Sequence, residues 1–438
     1  MRIAALLFCF AATLAQAALT DTELEITRRV TARADAAIAF LERAVRINSG
    51  TLNTEGVREV GAVFRTELDA LGFKTRWVEM PEDMKRGGHL IATREGSRGK
   101  RILLIGHLDT VFEKLSPVQA WDRQGNKVRG QGVVDMKGGD VAMLEALRAL
   151  DGLGLLDDTS ITVVLVGDEE RLGSPVRVSR QDLIAAAKAS DAALDFEGIT
   201  RLRNGSDLAA IERRGTGGVV LEVTARPGHS AQVFSTYGAG LGAIYEGARV
   251  LNALREQVAE PGLTFSPGVA LGGTVVDYDE TQSSGTAFGK SNVIPRLFVS
   301  RIDMRFIDYE QRERARAKIR EIAAASLRGT NTEVKFTGGY PPMVATPGNR
   351  ALLEAYSRAS QDAGYGPVGA DVGAERGASD IAFVAAHVDS LDGLGPWGSG
   401  SHSVNEELDL PSLERSAVRA ALLIYRLTRD PRPGSAPR

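Results

Sequence analysis

Cysteine is almost absent. The one copy in 438 residues, Cys9, falls inside the opening segment MRIAALLFCFAATLAQAALT. There a single positive charge precedes an apolar run, and Ala15-Gln16-Ala17 supplies a small-residue cleavage site, the pattern of a secretory leader over residues 1–17. The run is shorter than the roughly 20 residues a spanning helix needs. Cleavage after Ala17 leaves a mature chain with no cysteine, which excludes disulfides, thiol catalysis and thiolate ligands. The expected location is periplasmic or secreted. Long basic runs are missing as well, and the net charge is −3. Nucleic acid is therefore not an expected partner, nor is a membrane once the leader is gone.

What is present is the composition of a soluble globular protein, 43% hydrophobic and 25% charged. The length exceeds one ordinary core and suits two domains. Residues 21–48 read as helical, and Val57, Val60, Phe64, Leu68 and Leu71 set a helix over 54–71 that Gly72 stops. Strands follow at 73–80, 89–95 and 101–106, a helix at 138–150, a strand at 161–167, a helix at 179–190 and a strand at 192–198. The run ITVVLVG is continuously apolar and β-branched, as in a strand covered on both faces. This alternation predicts an α/β fold with a mostly parallel sheet.

The pattern changes at ERRGTGG. Strand 218–225, helix 239–257, strands near 269–276 and 296–305, helix 309–327 and strand 332–337 follow in β-α-β-β-α-β order. That order is a ferredoxin-like α+β unit. After it the α/β pattern resumes and ends in a long helix over 410–429. The expected organisation is a discontinuous domain, 18–213 with 340–438, split by an insertion over 214–339.

Ligands of open α/β sheets bind beyond the carboxyl ends of the strands. Polar, metal-competent residues stand there in GHLDT (His107, Asp109), VVDMKGG (Asp135), VGDEERLGS (Asp168, Glu169, Glu170) and LDFEG (Asp195, Glu197). A fifth stretch, GSGSHSVNE, adds His402 in a Gly/Ser loop. Imidazole and carboxylate together are ligands for zinc and similar divalent ions. Without a cation, so many acidic groups at one mouth would repel and be poorly solvated. His89 and His387 read as structural histidines.

GHLDTVF, GQGVVDMKGG, VGDEERLGS, LDFEG, ARPGHSA, SNVIP…DMRF and SHSVNE, in this order over nearly the whole mature chain, resemble the M20 family of zinc metallopeptidases, in its glutamate carboxypeptidase (carboxypeptidase G2-like) branch. The resemblance implies two Zn2+ ions per subunit. His107 and Glu197 would bind one, Glu170 and His402 the other, and Asp135 would bridge them ahead of a cis peptide bond. Asp109 would orient the far nitrogen of His107, and Glu169 would be the general base. His229, in the inserted unit, would stabilise the tetrahedral intermediate, commonly across a homodimer. Asn292 and Arg305 match positions near the substrate, and Arg305 equally suits an ion pair with Asp303 or Asp308. The stretch ERGASDIAF resembles one that lines the substrate pocket, with Ser379 and Asp380 retained and Arg376 replacing a glycine. FTGGYPP departs from the branch, which tends to carry arginine there. The implied activity is hydrolysis of an amide bond to release a C-terminal amino acid, such as glutamate, from peptides or N-acyl amino acids. An aminopeptidase or dipeptidase of the same fold, or a non-catalytic peptide-binding homologue, stays open.

Overall fold

The computed structural model describes residues 19–118, 121–279, 284–371, 373 and 376–430. The leader expected over 1–17 lies outside the described residues. The larger sheet has nine strands. Its main path runs Lys74–Val78, His89–Arg94, Thr159–Val166, Arg98–His107, Ala192–Asp195, Ser390–Asp392, Asp207–Ala210, Val368–Asp371. Arg98–His107 is parallel to its neighbours on both sides, and Ser390–Asp392 extends the parallel set. Antiparallel pairing is confined to one edge, to the Thr200–Arg201 side strand and to one bridge, Asp392 to Ala210.

The central strands lack polar alternation because both faces are covered. Ile102, Leu104, Ile161, Val163 and Leu165 join one core. Leu103, Ile105, Val164 and Val166 join another. Helices Lys137–Asp151 and Leu410–Thr428 pack on each other over the first core, which includes Leu144, Leu147, Leu413 and Leu422. The mostly parallel α/β fold expected from the sequence is therefore present.

Gly215–Ala225, Thr264–Gly273, Leu297–Phe306 and Thr330–Thr337 form a separate antiparallel sheet, with Leu297–Phe306 and Gly215–Ala225 central. Helices Ala243–Gln257 and Tyr309–Ala324 close a core of Val219, Leu221, Val223, Val250, Phe298 and Ile319. This is the ferredoxin-like arrangement, with an added hairpin, Val275–Asp279 and Ser284–Phe288.

Two elements differ from expectation. The helix read over 21–48 is two, Asp21–Thr31 and Ala34–Val45. Arg33 leaves helical dihedrals at φ −105° and ψ 4°, and its guanidinium pairs with buried Glu145 at 2.7 Å. The helix read over 239–257 starts only at Ala243, since Gly240 and Gly242 hold φ of 115° and 86°.

Sheet register positions the site. His107 is level with Val166, and Ile105 is level with Asp195. Three neighbouring strands thus finish together, and Asp109, Glu169, Glu170 and Glu197 follow just past their ends. Helix Lys137–Asp151 packs its first turn on the same edge. A Cβ on Gly139 would stand 1.8 Å from the Phe196 carbonyl oxygen. In an open helix, Gly→Ala stabilises by about 1 kcal/mol. Here Gly139→Ala should instead destabilise by about 1–3 kcal/mol, seen as a lower urea midpoint. An unchanged or higher midpoint would contradict this close approach.

Candidate metal centre

Asp135 follows a tight loop, and its peptide bond to Met136 is cis. One carboxylate oxygen lies 3.1 Å from His107 Nε2, and the other lies 3.2 Å from His402 Nε2. Glu197 stands 3.6 Å from His107 Nε2, and Glu170 stands 3.0 Å from His402 Nε2. Among the described residues three donor triads result: His107/Asp135/Glu197 and Asp135/Glu170/His402, which share Asp135, and His107/Glu169/Glu170. Imidazole nitrogens facing carboxylate oxygens form a donor set that fits divalent ions of the zinc type.

The electrostatics fit the same reading. Burial pushes the Glu170 carboxyl up to about 7. Burial likewise raises Glu169 far above the usual range, and the negative charges of Glu170, Asp380 and Glu197 add to it. Burial works against the Asp135 anion too, but hydrogen bonds with both imidazoles hold it well below the ordinary carboxyl range. Hydrogen bonds with Asp135 and Glu170 push His402 up to about 11. The upward shift of His402 and the downward shift of Asp135 show a cluster that favours positive charge between its carboxylates. Divalent cations would supply that charge.

Asp109 does more than orient His107. Its main-chain carbonyl is 3.0 Å from His107 Nδ1, closer than its carboxylate at 3.5 Å. The expected carboxylate–imidazole contact is thus secondary, because the carboxylate is engaged elsewhere. It accepts the Thr51 hydroxyl at 2.6 Å and the backbone N–H groups of Glu169 and Glu170 at 3.0 and 3.1 Å. Tyr340 fixes the same segment from the other side, donating its hydroxyl to the Glu169 carbonyl at 2.6 Å.

Asp168 points away from the cluster. It accepts from Gly173 N–H and the Ser179 hydroxyl and pairs with buried Arg180. Asp195 accepts from the Ser379 hydroxyl at 2.9 Å. Ser379 is fully buried, so the part of its loop that lines the cavity is Arg376–Ala378, not the expected Ser379. Asp380 makes no side-chain cap and pairs with Arg180 at 2.6 Å. His89 is buried, with Nδ1 accepting from Gly167 N–H and Nε2 facing the Ser179 carbonyl.

The cluster opens into a cavity of about 490 Å3 whose walls include Asp135, Glu169, Glu197 and His402. His229, Asn292 and Arg305 are not among its lining residues. All three lie in the inserted unit. His229 bridges to Val293 beside Asn292, and Arg305 pairs with Asp303 at 3.0 Å.

Glu406 carries a role that its sequence position hides. It is fully buried, and its carboxylate accepts the backbone N–H groups of Gly132, Val134 and Asp135 at 3.2, 2.8 and 3.1 Å. The loop carrying Asp135 is therefore tied to the loop carrying His402. The only sequence signal was a carboxylate four residues past His402, and adjacent Glu407 offers the same signal while pairing outside with Lys127 and Arg129. His402 itself holds φ of 63°, a left-handed backbone that costs a non-glycine residue about 1–3 kcal/mol. Glu406→Ala should cost about 3 kcal/mol by stranding buried N–H groups. It should also weaken metal affinity about 10- to 100-fold, read as metal content after dialysis. Wild-type retention of metal would show that the two loops hold their places independently.

Residues 103–426 match peptidase family M20/M25/M40. The chain is 29% identical over 400 residues to carboxypeptidase G2 of Pseudomonas sp. (strain RS-16), covering 90% of this chain and 89% of that one. It is also 29% identical over 393 residues to a succinyl-diaminopimelate desuccinylase of Acidiphilium cryptum, covering 87% of this chain and 94% of that one. Among solved structures, a tripeptidase of Staphylococcus aureus superposes with a TM-score of 0.70 at 17% identity, over 91% of this chain and 99% of that chain. A dinuclear metal-binding M20 peptidase of Bacillus subtilis superposes with a TM-score of 0.62 at 14% identity, over 91% and 99%. With three-quarters of its length matched and a shared-carboxylate donor cluster at the sheet edge, this chain belongs to peptidase family M20/M25/M40, among metallopeptidases and amidohydrolases of the carboxypeptidase G2 and desuccinylase type.

Proposed function

We propose that the chain hydrolyses an amide bond and releases a C-terminal amino acid, glutamate first among candidates, from peptides or N-acyl amino acids. The observation that carries the reading is the Asp135 carboxylate divided between two histidines, with Glu169 on the wall of the same cavity. His107, Asp135 and Glu197 would hold one cation, and Asp135, Glu170 and His402 the other, with zinc the proposed metal. When bound, such cations supply Lewis acidity toward a carbonyl oxygen and toward water.

The chain's own residues do the rest. Nδ1 of His107 donates to the Asp109 carbonyl, which leaves the Nε2 lone pair for a cation. Glu169 takes a proton from the attacking water on its carboxylate and returns it to the departing amine nitrogen. Its segment is held at the N–H by Asp109 and at the carbonyl by Tyr340, so its carboxylate projects from a fixed backbone. His229, Asn292 and Arg305 would reach the substrate by closure of the inserted unit or from a second copy in a homodimer. The N-terminal leader supports export to the periplasm or beyond. Similarity to carboxypeptidase G2 over 90% of the chain supports carboxypeptidase-type chemistry over the aminopeptidase alternative.

Glu169→Gln should lower kcat at least about 100-fold, with metal content by elemental analysis unchanged. Turnover surviving that substitution would remove Glu169 as the base. Chelation should abolish hydrolysis, and added zinc should restore it. N-acetylated dipeptides should be cleaved as well as free ones, whereas an aminopeptidase would reject the blocked amino terminus.

A further inference from the structure

The cavity beyond the ligand cluster has a charge of its own. Apart from Asp135, Glu169 and Glu197, every Asp, Glu, Lys or Arg among its described lining residues is an arginine: Arg201, Arg213 and Arg376. Their hydrogen bonds separate them. Arg201 is held by both carboxylate oxygens of Asp207, at 2.7 and 3.1 Å, and stacks on Trp397 with its guanidinium 5.3 Å from the ring centre. It is committed to structure. Arg213 has a side chain only 3% exposed, pairs through Nε with Asp392 and donates Nη1 to the Gly377 carbonyl at 2.8 Å. Its Nη2 is buried with no hydrogen-bond partner. A guanidinium nitrogen left unpaired in the interior carries a desolvation penalty that an incoming acceptor removes.

Arg376 stands next to Gly377 on the same loop. Nη1 donates to the Thr200 hydroxyl at 2.8 Å, and Nη2 donates to the Gly198 carbonyl at 2.9 Å. These bonds fix its plane against the 198–200 segment, which also lines the cavity. Asp371 accepts from Nη1 at 3.5 Å and takes the Thr200 hydroxyl at 2.6 Å, so the ion pair engages the Nη1 edge of Arg376. A guanidinium held flat, with N–H groups left over, matches a carboxylate in geometry and charge.

We propose that Arg376, backed by Arg213, seats a substrate carboxylate in this cavity and selects substrates that carry an anionic group there. This rests on the amide-hydrolase reading above and names its substrate class. Arg305, paired with Asp303 in the inserted unit, is not needed for that contact. The carboxylate has two possible sources, the side chain of the leaving amino acid or the far end of a dicarboxylic acyl group.

Two isosteric pairs separate those sources. N-acetylglutamate against N-acetylglutamine reports on the leaving residue, and N-succinyl-leucine against its succinamoyl analogue reports on the acyl group. Metal-loaded wild type should prefer the charged member of one pair by about tenfold or more in kcat/KM, the scale of a charged hydrogen bond. Arg376→Gln should erase that ratio, and Arg376→Lys, which keeps the charge, should restore part of it. A binding readout accompanies these rates: glutarate should bind the metal-loaded protein about tenfold more tightly than its monoamide, and Arg376→Gln should lose the difference. A merely structural arginine would lower both members of a pair together and leave the ratio intact. Hydrolysis of the four compounds with no charged preference overturns the inference and leaves the hydrolase reading standing. Failure of wild type on all four removes both.

Discussion

Asp135 places one oxygen against each of two imidazoles, and most of the polar architecture nearby serves that arrangement. Carboxylates crowd a small volume, and each must be both ionised and aimed for the cluster to hold cations. The protein manages this with further carboxylates that bind backbone. Glu406 collects three N–H groups from the loop ending at Asp135. Asp109 collects the N–H groups of Glu169 and Glu170. Backbone N–H groups favour the ionised form of a buried carboxylate, yet burial and the nearby Asp135 charge still push Glu406 up to about 8. The supporting layer therefore aims the cluster through backbone contacts, and the nearby buried Lys137 spends its ammonium on the Ile47 carbonyl.

A second network sits behind the first. Arg180 is fully buried between Asp168 and Asp380, and Arg213 is buried against Asp392. Asp168 lies in the turn that carries Glu169 and Glu170, while Asp380 and Asp392 flank the loop and strand beyond Ser379. Breaking one side of such a pair strands a charge in the interior, at a cost of about 3–5 kcal/mol. The turn presenting Glu169 and the wall presenting Arg376 are thereby joined through one buried ion-pair network, although the two residues are more than two hundred positions apart.

Much of this was legible in the sequence where residue type and position agreed. RILLIG and ITVVLVG announced buried parallel strands because both of their faces are apolar. His107, Asp135, Glu170, Glu197 and His402 stood out because metal-competent side chains followed strand ends or occupied a glycine-rich loop. Legibility ended where a role depends on distant backbone. Glu406 acts on amides some 270 positions away, and Tyr340 acts on a carbonyl 171 positions away. No local pattern encodes either contact. Ser379 carried a family-like motif yet spends its hydroxyl on a buried aspartate. The small sheet of Asp122–Gln124, Lys127–Arg129, Gly398–Ser399 and Glu407–Asp409 was invisible because its strands are two or three residues long and mostly polar.

The neck between the two units bears on how the site works. The crossing chains are laced by four hydrogen bonds. Arg213 and Met343 exchange N–H and carbonyl at 2.8 and 2.9 Å. Thr216 N–H donates to the Tyr340 carbonyl at 2.9 Å, and Tyr340 N–H donates to the Thr216 hydroxyl at 2.9 Å. Two of these four residues also reach the site: the Arg213 side chain lines the cavity, and the Tyr340 hydroxyl holds the Glu169 carbonyl. The inserted unit is therefore joined to the rest of the chain through residues that also line or brace the cavity. If it swings to bring His229 or Arg305 toward a substrate while this ladder holds, the rotation must be taken up beyond Thr216 and before Tyr340. On the returning chain Gly338 and Gly339 stand there, whereas on the outgoing chain Gly217 and Gly218 belong to strand Gly215–Ala225 and pair with Met304 and Asp303. Glycine accommodates large dihedral changes at little steric cost, so the backbone freedom next to the Tyr340 contact with Glu169 lies in the returning chain and not in the paired strand.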